Sequence, residues 1–139
     1  MQRRPLGGFC GGRGSGIIRG MNERSALIKS LDIECSKAVR IRGKYQCEKC
    51  GVINKAVHAA HIFSRSNFNT RWDIDNFIVL CFYCHIFWSH RKPVEFVEWV
   101  KQKIGEDKFK ELEKKSRIIY KFHKIDYEPK LKELVRLQY

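Results

Sequence analysis

An apolar residue recurs at every fourth position between Asn22 and Gly43, at Leu27, Leu31, Cys35 and Val39. Residues spaced in this way share one face of an α-helix, and glycine is a common residue just after a helix ends. The pattern therefore predicts an N-terminal helix that stops near Gly43. Cys35 is expected on its buried face.

The helical spacing is interrupted between residues 44 and 85. Short apolar stretches at 57–62 and 77–81, separated by a polar loop, are typical of β-strands. Helical spacing returns after Pro93, a residue suited to the first turn of a helix. Three apolar stripes follow: Val94, Val97, Val100 and Ile104; Phe109, Leu112, Ser116 and Ile119; and Leu131, Leu134 and Val135. The predicted fold class is α+β, with a small strand-containing core flanked by an N-terminal helix and C-terminal helices.

The chain divides into three segments by composition. Residues 1–21 are rich in glycine and arginine and lack apolar periodicity, so a flexible cationic arm is expected there. This arm either contacts nucleic acid or has no function of its own. Residues 22–92 form the expected core with its N-terminal helix, and residues 93–139 a basic helical extension.

The chain carries a large excess of positive charge. It has 28 lysines and arginines against 15 aspartates and glutamates, a net charge of +13. Such an excess favours a polyanionic partner, most commonly nucleic acid, although ribosomal and membrane-surface proteins share it. No signal peptide or membrane-spanning apolar run is recognisable, so a cytoplasmic location is expected.

Four of the six cysteines form two Cys-x-x-Cys pairs, Cys47 with Cys50 and Cys81 with Cys84. Disulfides are disfavoured in the cytoplasm, and four thiolates give zinc a closed tetrahedral shell. We therefore predict a structural zinc site. The segment between the two pairs is longer than in common zinc ribbons, so the clamp would hold an inserted element in place. The alternative is four unrelated thiols.

The inserted segment and the second cysteine pair carry three recognisable strings: HAAHIFSR from His58, RWDIDN from Arg71 and LCFYCH from Leu80. This order of His, Asn and Cys-x-x-Cys-His resembles the HNH (ββα-metal) endonucleases over about residues 45–90. Within that family, the sequences of these three strings most resemble those of the phage NinG-like (Rap-like) recombination nucleases.

The resemblance implies a function and roles for three residues. The protein would be a metal-dependent DNA endonuclease that nicks DNA and leaves 5′-phosphate and 3′-hydroxyl ends. Branched recombination intermediates or other DNA with single-stranded portions would be its candidate substrates. His61 would be the general base, because imidazole titrates near neutral pH. Asn76 would pin the loop between the strands and help to orient His61. His85, on the following helix, would bind a catalytic Mg²⁺ or Mn²⁺ ion.

One position departs from the family pattern. Many HNH enzymes have an acidic residue or histidine immediately before the base, as a second metal ligand, and this chain has Ala60. His58 shares the strand face of position 60 but lies about 6.5–7 Å back along a regular strand. Asp75 is another candidate. In an α-helix, His90 would lie about 140° around the axis from His85, so the second ligand stays open.

Further residues in the same segment suit contacts with DNA. Arginines bind phosphates and an indole ring can stack on a base, so we predict such contacts for Arg65, Arg71 and Trp72. Two competing functions remain. One is a zinc-stabilised nucleic-acid-binding module without catalysis, which Ala60 favours, and the other is a ribonuclease.

Overall fold

The computed structural model describes residues 22–121 and 123–139, with the backbone alone for Lys124. The predicted N-terminal arm lies outside these residues. The fold is α+β, with two strands and five α-helices in the described part: α1 (Glu23–Arg42), β1 (His58–His61), α2 (Phe68–Arg71), β2 (Phe77–Leu80), α3 (Pro93–Ile104), α4 (Glu106–Ser116) and α5 (Lys124–Arg136). A 3-10 turn (Ile74–Asn76) precedes β2 and a π-helix (Tyr83–Ser89) follows it.

The two strands form an antiparallel sheet that separates two hydrophobic cores. His58 pairs with Leu80 and His61 with Phe77, without a bulge. Side chains alternate between the two faces of a strand. One face contributes to a first core with α1 and α5: Leu27, Leu31, Cys35, Val39, Val57, Trp72, Phe77, Val79 and Leu134. The other contributes to a second core with α3, α4 and the cysteines: Cys47, Ala60, Ile78, Leu80, Cys84, Trp88, Phe96, Val100 and Phe109.

Helix α1 has the predicted extent and buried face. The Asn22 side chain caps its start by accepting a 2.8 Å hydrogen bond from the backbone N–H of Ser25. The helix ends at Gly43, whose φ of −79° is accessible to any residue. Glycine is needed there for a different reason: a Cβ would lie 2.6 Å from Cγ2 of Val79 on β2. This close approach joins the end of α1 to the sheet.

Helix α3 begins at Pro93 as predicted, and most of its predicted stripe packs in the second core: Val100 is buried, and Val97 and Ile104 pack against that core. Phe96 and Val100 lie in the second core, whereas Val94 is 77% exposed. Val94 is the one member of the predicted stripe that is not packed, and it lies in the first turn of the helix.

The last two helices also correct details of the predicted stripes. Phe109 and Leu112 of α4 are buried, but Ile119 lies beyond the end of the helix and is 97% exposed. Leu134 of α5 is fully buried in the first core, while Val135 is 39% exposed. Among the described helices, none combines the length and apolar character needed to cross a membrane.

Candidate functional site

The four cysteines of the two Cys-x-x-Cys pairs come together in space. Their sulfur atoms all lie within 4.8 Å of one another, and the Sγ atoms of Cys50 and Cys81 are 3.8 Å apart. Four ligands at a Zn–S distance of about 2.3 Å form a tetrahedron with edges of about 3.8 Å. The arrangement therefore fits a structural zinc ion, held by Cys47, Cys50, Cys81 and Cys84.

The first cysteine pair lies in a tight turn attached to the sheet. The Gly51 N–H donates to the Cys47 carbonyl (2.8 Å), and the Cys47 N–H donates to the Val52 carbonyl (2.8 Å). The Glu48 N–H donates to the carbonyl of Val79 on β2, and the Val79 N–H donates back to Glu48 Oε1. The cysteine turn thus has a fixed position against β2, which leads directly into the second pair.

The surroundings of Cys47 favour the thiolate form that binds metals. Burial alone would raise the pKa of this thiol. Backbone hydrogen bonds from Cys50, Cys81 and Lys49 outweigh that effect and lower the pKa to about 7.

His61, at the end of β1, is oriented by a backbone carbonyl. Its Nε2 lies 3.1 Å from the carbonyl oxygen of Arg71. Because a carbonyl only accepts hydrogen bonds, Nε2 carries the proton and Nδ1 is left as the acceptor of the ring. Burial lowers the pKa of His61 below its usual value, against the effect of the Arg71 bond. His61 is therefore neutral at pH 7 and able to take up a proton.

Asn76 holds the loop between the two strands. Its side chain is fully buried; Nδ2 donates to the carbonyls of Phe63 and Thr70 (both 3.0 Å), and Oδ1 accepts from the Phe63 N–H (2.8 Å). Thr70 immediately precedes Arg71. Asn76 therefore fixes the segment that presents the Arg71 carbonyl to His61.

Asp32 on α1 is a site residue that sequence reasoning missed. Its carboxylate accepts bonds from Arg71 Nε (2.9 Å), Arg71 Nη2 (2.7 Å) and Trp72 Nε1 (2.8 Å). Burial would raise the pKa of Asp32, but these bonds and the arginine charges outweigh it and lower the pKa. Nothing in the α1 sequence indicates this role, because its partners are distant along the chain.

Two of the three predicted DNA-contact residues face inward instead. Trp72 is 2% exposed in the first core, and its ring centroid lies 4.8 Å from that of Tyr127. Its predicted stacking on a base is therefore wrong. The Arg71 side chain is 12% exposed and its guanidinium is bound to Asp32, which corrects its predicted phosphate contact. Arg65 Nη2 lies 3.8 Å from Asp32 Oδ2, but its side chain is 69% exposed, so it is the member of the set that remains accessible to a ligand.

His58 and His85 meet across the site. Their Nδ1 atoms are 2.9 Å apart, although β1 contains no bulge. Two imidazole nitrogens on one ion at bond lengths of 2.0–2.1 Å would be about 2.9–3.4 Å apart. The distance therefore suits two ligands of a shared ion as well as a hydrogen bond between the rings.

The π-helix brings His90 to the same place. The His90 N–H donates to the His85 carbonyl, five residues back, at 3.3 Å. The two rings are consequently 4.6 Å apart between centroids. The expectation that His90 points away from His85 assumed an α-helix and was wrong. π-Helical turns are rare and often occur at functional sites.

These nitrogen donors suit some metals better than others. Imidazole suits Zn²⁺ or Ni²⁺, whereas Mg²⁺ prefers oxygen ligands. Residues 49–72 and 76–94 contain no aspartate or glutamate, and Asp75, a candidate ligand, is paired with Lys108 (3.0 Å). The carboxylate of Asp32, which also lines the cleft, is already bound by Arg71. Burial, followed by the charges of the neighbouring histidines, lowers the pKa of His85 to about 4, so its ring is neutral and able to bind metal. The expected Mg²⁺ therefore fits these residues poorly.

The candidate site residues share one cleft of about 500 Å³. Its walls include His61, His85 and His90, with Asp32 and Arg65 beside them. The cleft thus combines an oriented imidazole acceptor with a second group of imidazoles next to the cysteine cluster.

Comparisons with known proteins gave no match to this chain among family models, curated proteins or solved structures.

Proposed function

We propose that the protein is a metal-dependent DNA endonuclease of the HNH type, with His61 as general base. The observation that carries the proposal is that one cleft is lined by His61, with Nδ1 as its acceptor, and by His85, which contacts His58. In this proposal β1, β2 and the π-helix correspond to the ββα unit, and the four cysteines hold the structural zinc.

The residues of the cleft support hydrolysis of a phosphodiester. His61 Nδ1 takes a proton from water as its oxygen attacks phosphorus. The Arg71 carbonyl, bound to Nε2–H, holds the ring in place and stabilises the positive charge that forms. The bond from phosphorus to the 3′ oxygen breaks and that oxygen takes a proton from solvent water, which leaves 5′-phosphate and 3′-hydroxyl ends. The proton held by His61 then returns to solvent. When bound at His58 and His85, a divalent ion would stabilise negative charge on the phosphate oxygens.

The positive charge of the chain supports DNA as the substrate. The net charge is +13, and Arg65 lies exposed at the cleft, where it can contact a phosphate. A preference for branched or single-strand-containing DNA is suggested by the NinG-like resemblance alone.

The imidazole donors set the expected order of metal dependence. We expect Ni²⁺ or Zn²⁺ to support activity at lower concentration than Mn²⁺ or Mg²⁺. Mn²⁺ and Mg²⁺ belong in the same titration because the resemblance implies them.

The test is cleavage of supercoiled plasmid by zinc-loaded protein, with each of the four ions titrated separately. Nicked circles whose ends are 5′-phosphate and 3′-hydroxyl support the proposal. DNA that is shifted in a gel but stays intact with every ion contradicts it.

That second outcome would favour a zinc-stabilised nucleic-acid-binding module without catalysis. Ala60 is the observation in its favour: it stands where many HNH enzymes carry a metal ligand, and it is 2% exposed within the second core. Its methyl group supplies no ligand. The His58–His85 contact would then be a hydrogen bond that holds β1 to the π-helix.

A further inference from the structure

Three aromatic rings lie exposed on the π-helix and on the residue just before it. Phe82 is 57% exposed, Tyr83 68% and Phe87 38%. Tyr83 and Phe87 stack with centroids 5.6 Å apart, and Phe82 meets Phe87 edge-on at 5.8 Å. We call these three rings the aromatic surface. Large aromatic side chains that are exposed together commonly mark a binding site.

The aromatic surface is held rigidly beside the candidate site. Phe82 makes an edge contact with the His58 ring at 6.0 Å. Phe82 and Tyr83 also lie between Cys81 and Cys84, two of the clustered cysteines. A bound zinc ion would therefore fix the backbone on both sides of these rings. A ligand stacked there would lie next to the cleft.

The charge around the aromatic surface favours a negatively charged ligand. The Arg91 guanidinium carbon lies 4.6 Å from the centroid of the Phe87 ring. The chain has no acidic residue from position 76 to position 94, a range that includes all three rings and Arg91. Exposed rings next to positive charge are the combination with which proteins bind single-stranded nucleic acid.

We propose that Phe82, Tyr83 and Phe87 stack against unpaired bases of a DNA strand whose phosphate enters the cleft. This inference rests on the proposed function and adds to it the surface that would bind unpaired bases. An unpaired base can turn its flat face to a ring, whereas bases in a duplex stack on each other. The surface would select DNA with a single-stranded portion near the scissile phosphate.

The test is binding of fluorescent oligonucleotides to the whole chain carrying one equivalent of zinc, which the cysteine cluster takes up. No further divalent ion is added, so that no cleavage occurs. The single strand carries one 2-aminopurine, whose fluorescence falls when the base stacks, and the duplex has the same sequence. Tyr83→Leu combined with Phe87→Leu removes two ring faces but retains apolar side chains. Tyr139→Leu is the matched control, because Tyr139 is fully exposed at the end of the chain.

The double variant is expected to lose about tenfold or more in affinity for the single strand, because stacking contributes about 1–3 kcal/mol per base. Duplex affinity should change less than twofold, the 2-aminopurine quenching should disappear, and the control should match the parent.

Equal single-strand affinity and quenching in the parent and double variant would overturn the inference and leave the proposed function standing. A parent that binds neither DNA would overturn the proposed function as well. A parent that is dimeric by sedimentation, with a monomeric double variant of unchanged DNA affinity, would assign the surface to self-association and overturn the inference.

Discussion

Asp32 connects the first core to the candidate site through one side chain. It binds Arg71 and Trp72 through the carboxylate, and the backbone of Arg71 binds His61. An acidic residue on α1 thus positions a carbonyl in the α2 segment. If His61 is the base, Asp32 is a positioning residue for it.

Replacing Asp32 by asparagine should destabilise the protein at pH 7 by about 1–3 kcal/mol, because the Arg71 guanidinium loses its charged partner. Urea unfolding followed by circular dichroism measures the loss. Asp75→Asn is the control: its exposed pairs with Lys108 and Arg42 should contribute less than about 1 kcal/mol. Equal losses in the two variants would show that Asp32 contributes no more to the free energy of unfolding than an exposed ion pair does.

The stability difference between the parent and Asp32→Asn should depend on pH. The pKa of Asp32 lies below its usual 3.8 in the folded protein, since the bonds from Arg71 and Trp72 outweigh its burial. Its contribution is therefore complete above pH 3.8 and is lost as the pH falls through the folded value. Unfolding of both proteins at pH 7, 5 and 3.5 should show the difference shrinking only at the lowest pH. A difference that grows with acidity would contradict the assignment.

Arg65 and Arg71 should respond oppositely to replacement by alanine. Arg65→Ala should weaken DNA binding and reduce the slope of log affinity against log salt by about 1, without loss of stability. Arg71→Ala should lower stability, because it leaves Asp32 without its main partner. Anisotropy over a salt series and urea unfolding separate the two effects. An unchanged salt slope for Arg65→Ala would remove it from the DNA contacts.

Single residues were predictable where a short motif specifies them. The four cysteines form two pairs that each suit one ion, and the structure brings them together. Trp72 was misassigned because a tryptophan in a polar segment gives no sign that an acid on another helix will bury it. Asp32 left no sequence signal for the same reason.

At the scale of elements, the π-helix has the largest effect on the site. Its i to i+5 bonding places His90 against His85, whereas α-helical spacing separates them. The strands and α1 follow local apolar patterns and were predictable. Cys84 and Trp88 of the π-helix are buried in the second core, and these contacts with distant segments are not contained in the local pattern.

The junction between α1 and β2 should tolerate only glycine at position 43. Gly43→Ala should cost about 1–3 kcal/mol, because its Cβ would overlap Cγ2 of Val79. Val79→Ala removes that methyl group, so the double variant should be more stable than the sum of the single losses predicts, by at least about 0.5 kcal/mol. Urea unfolding of all four proteins measures this coupling. Strict additivity would show that the two residues do not meet.

For the whole molecule, the cysteine cluster links the sheet, the π-helix and the second core. Cys47 and Cys84 are core residues as well as candidate ligands. The sequence indicated the cluster but not the sheet between two cores, because that depends on contacts between distant segments. α5, for example, supplies Leu134 to the first core.

Loss of one ligand should remove the structural zinc. Cys50→Ser should contain one equivalent of zinc less than the parent and should melt at a lower temperature. Cys35→Ala is the control for zinc content, since Cys35 is a buried thiol outside the cluster whose pKa burial raises to about 12. It does not serve as the control for melting, because truncation of this core residue also lowers the melting temperature. Metal analysis by mass spectrometry and thermal melting measure both effects. Equal zinc content in the parent and Cys50→Ser would refute the site.

The most direct test of the proposed hydrolysis is the rate of plasmid nicking by the parent, His61→Ala and His123→Ala at equal zinc content. His123 is an exposed histidine immediately before α5, and its loss should leave the rate unchanged. His61→Ala should be slower by about a hundredfold or more, as expected for loss of a general base. Nicking by His61→Ala at the rate of the parent would contradict the role of His61 as general base.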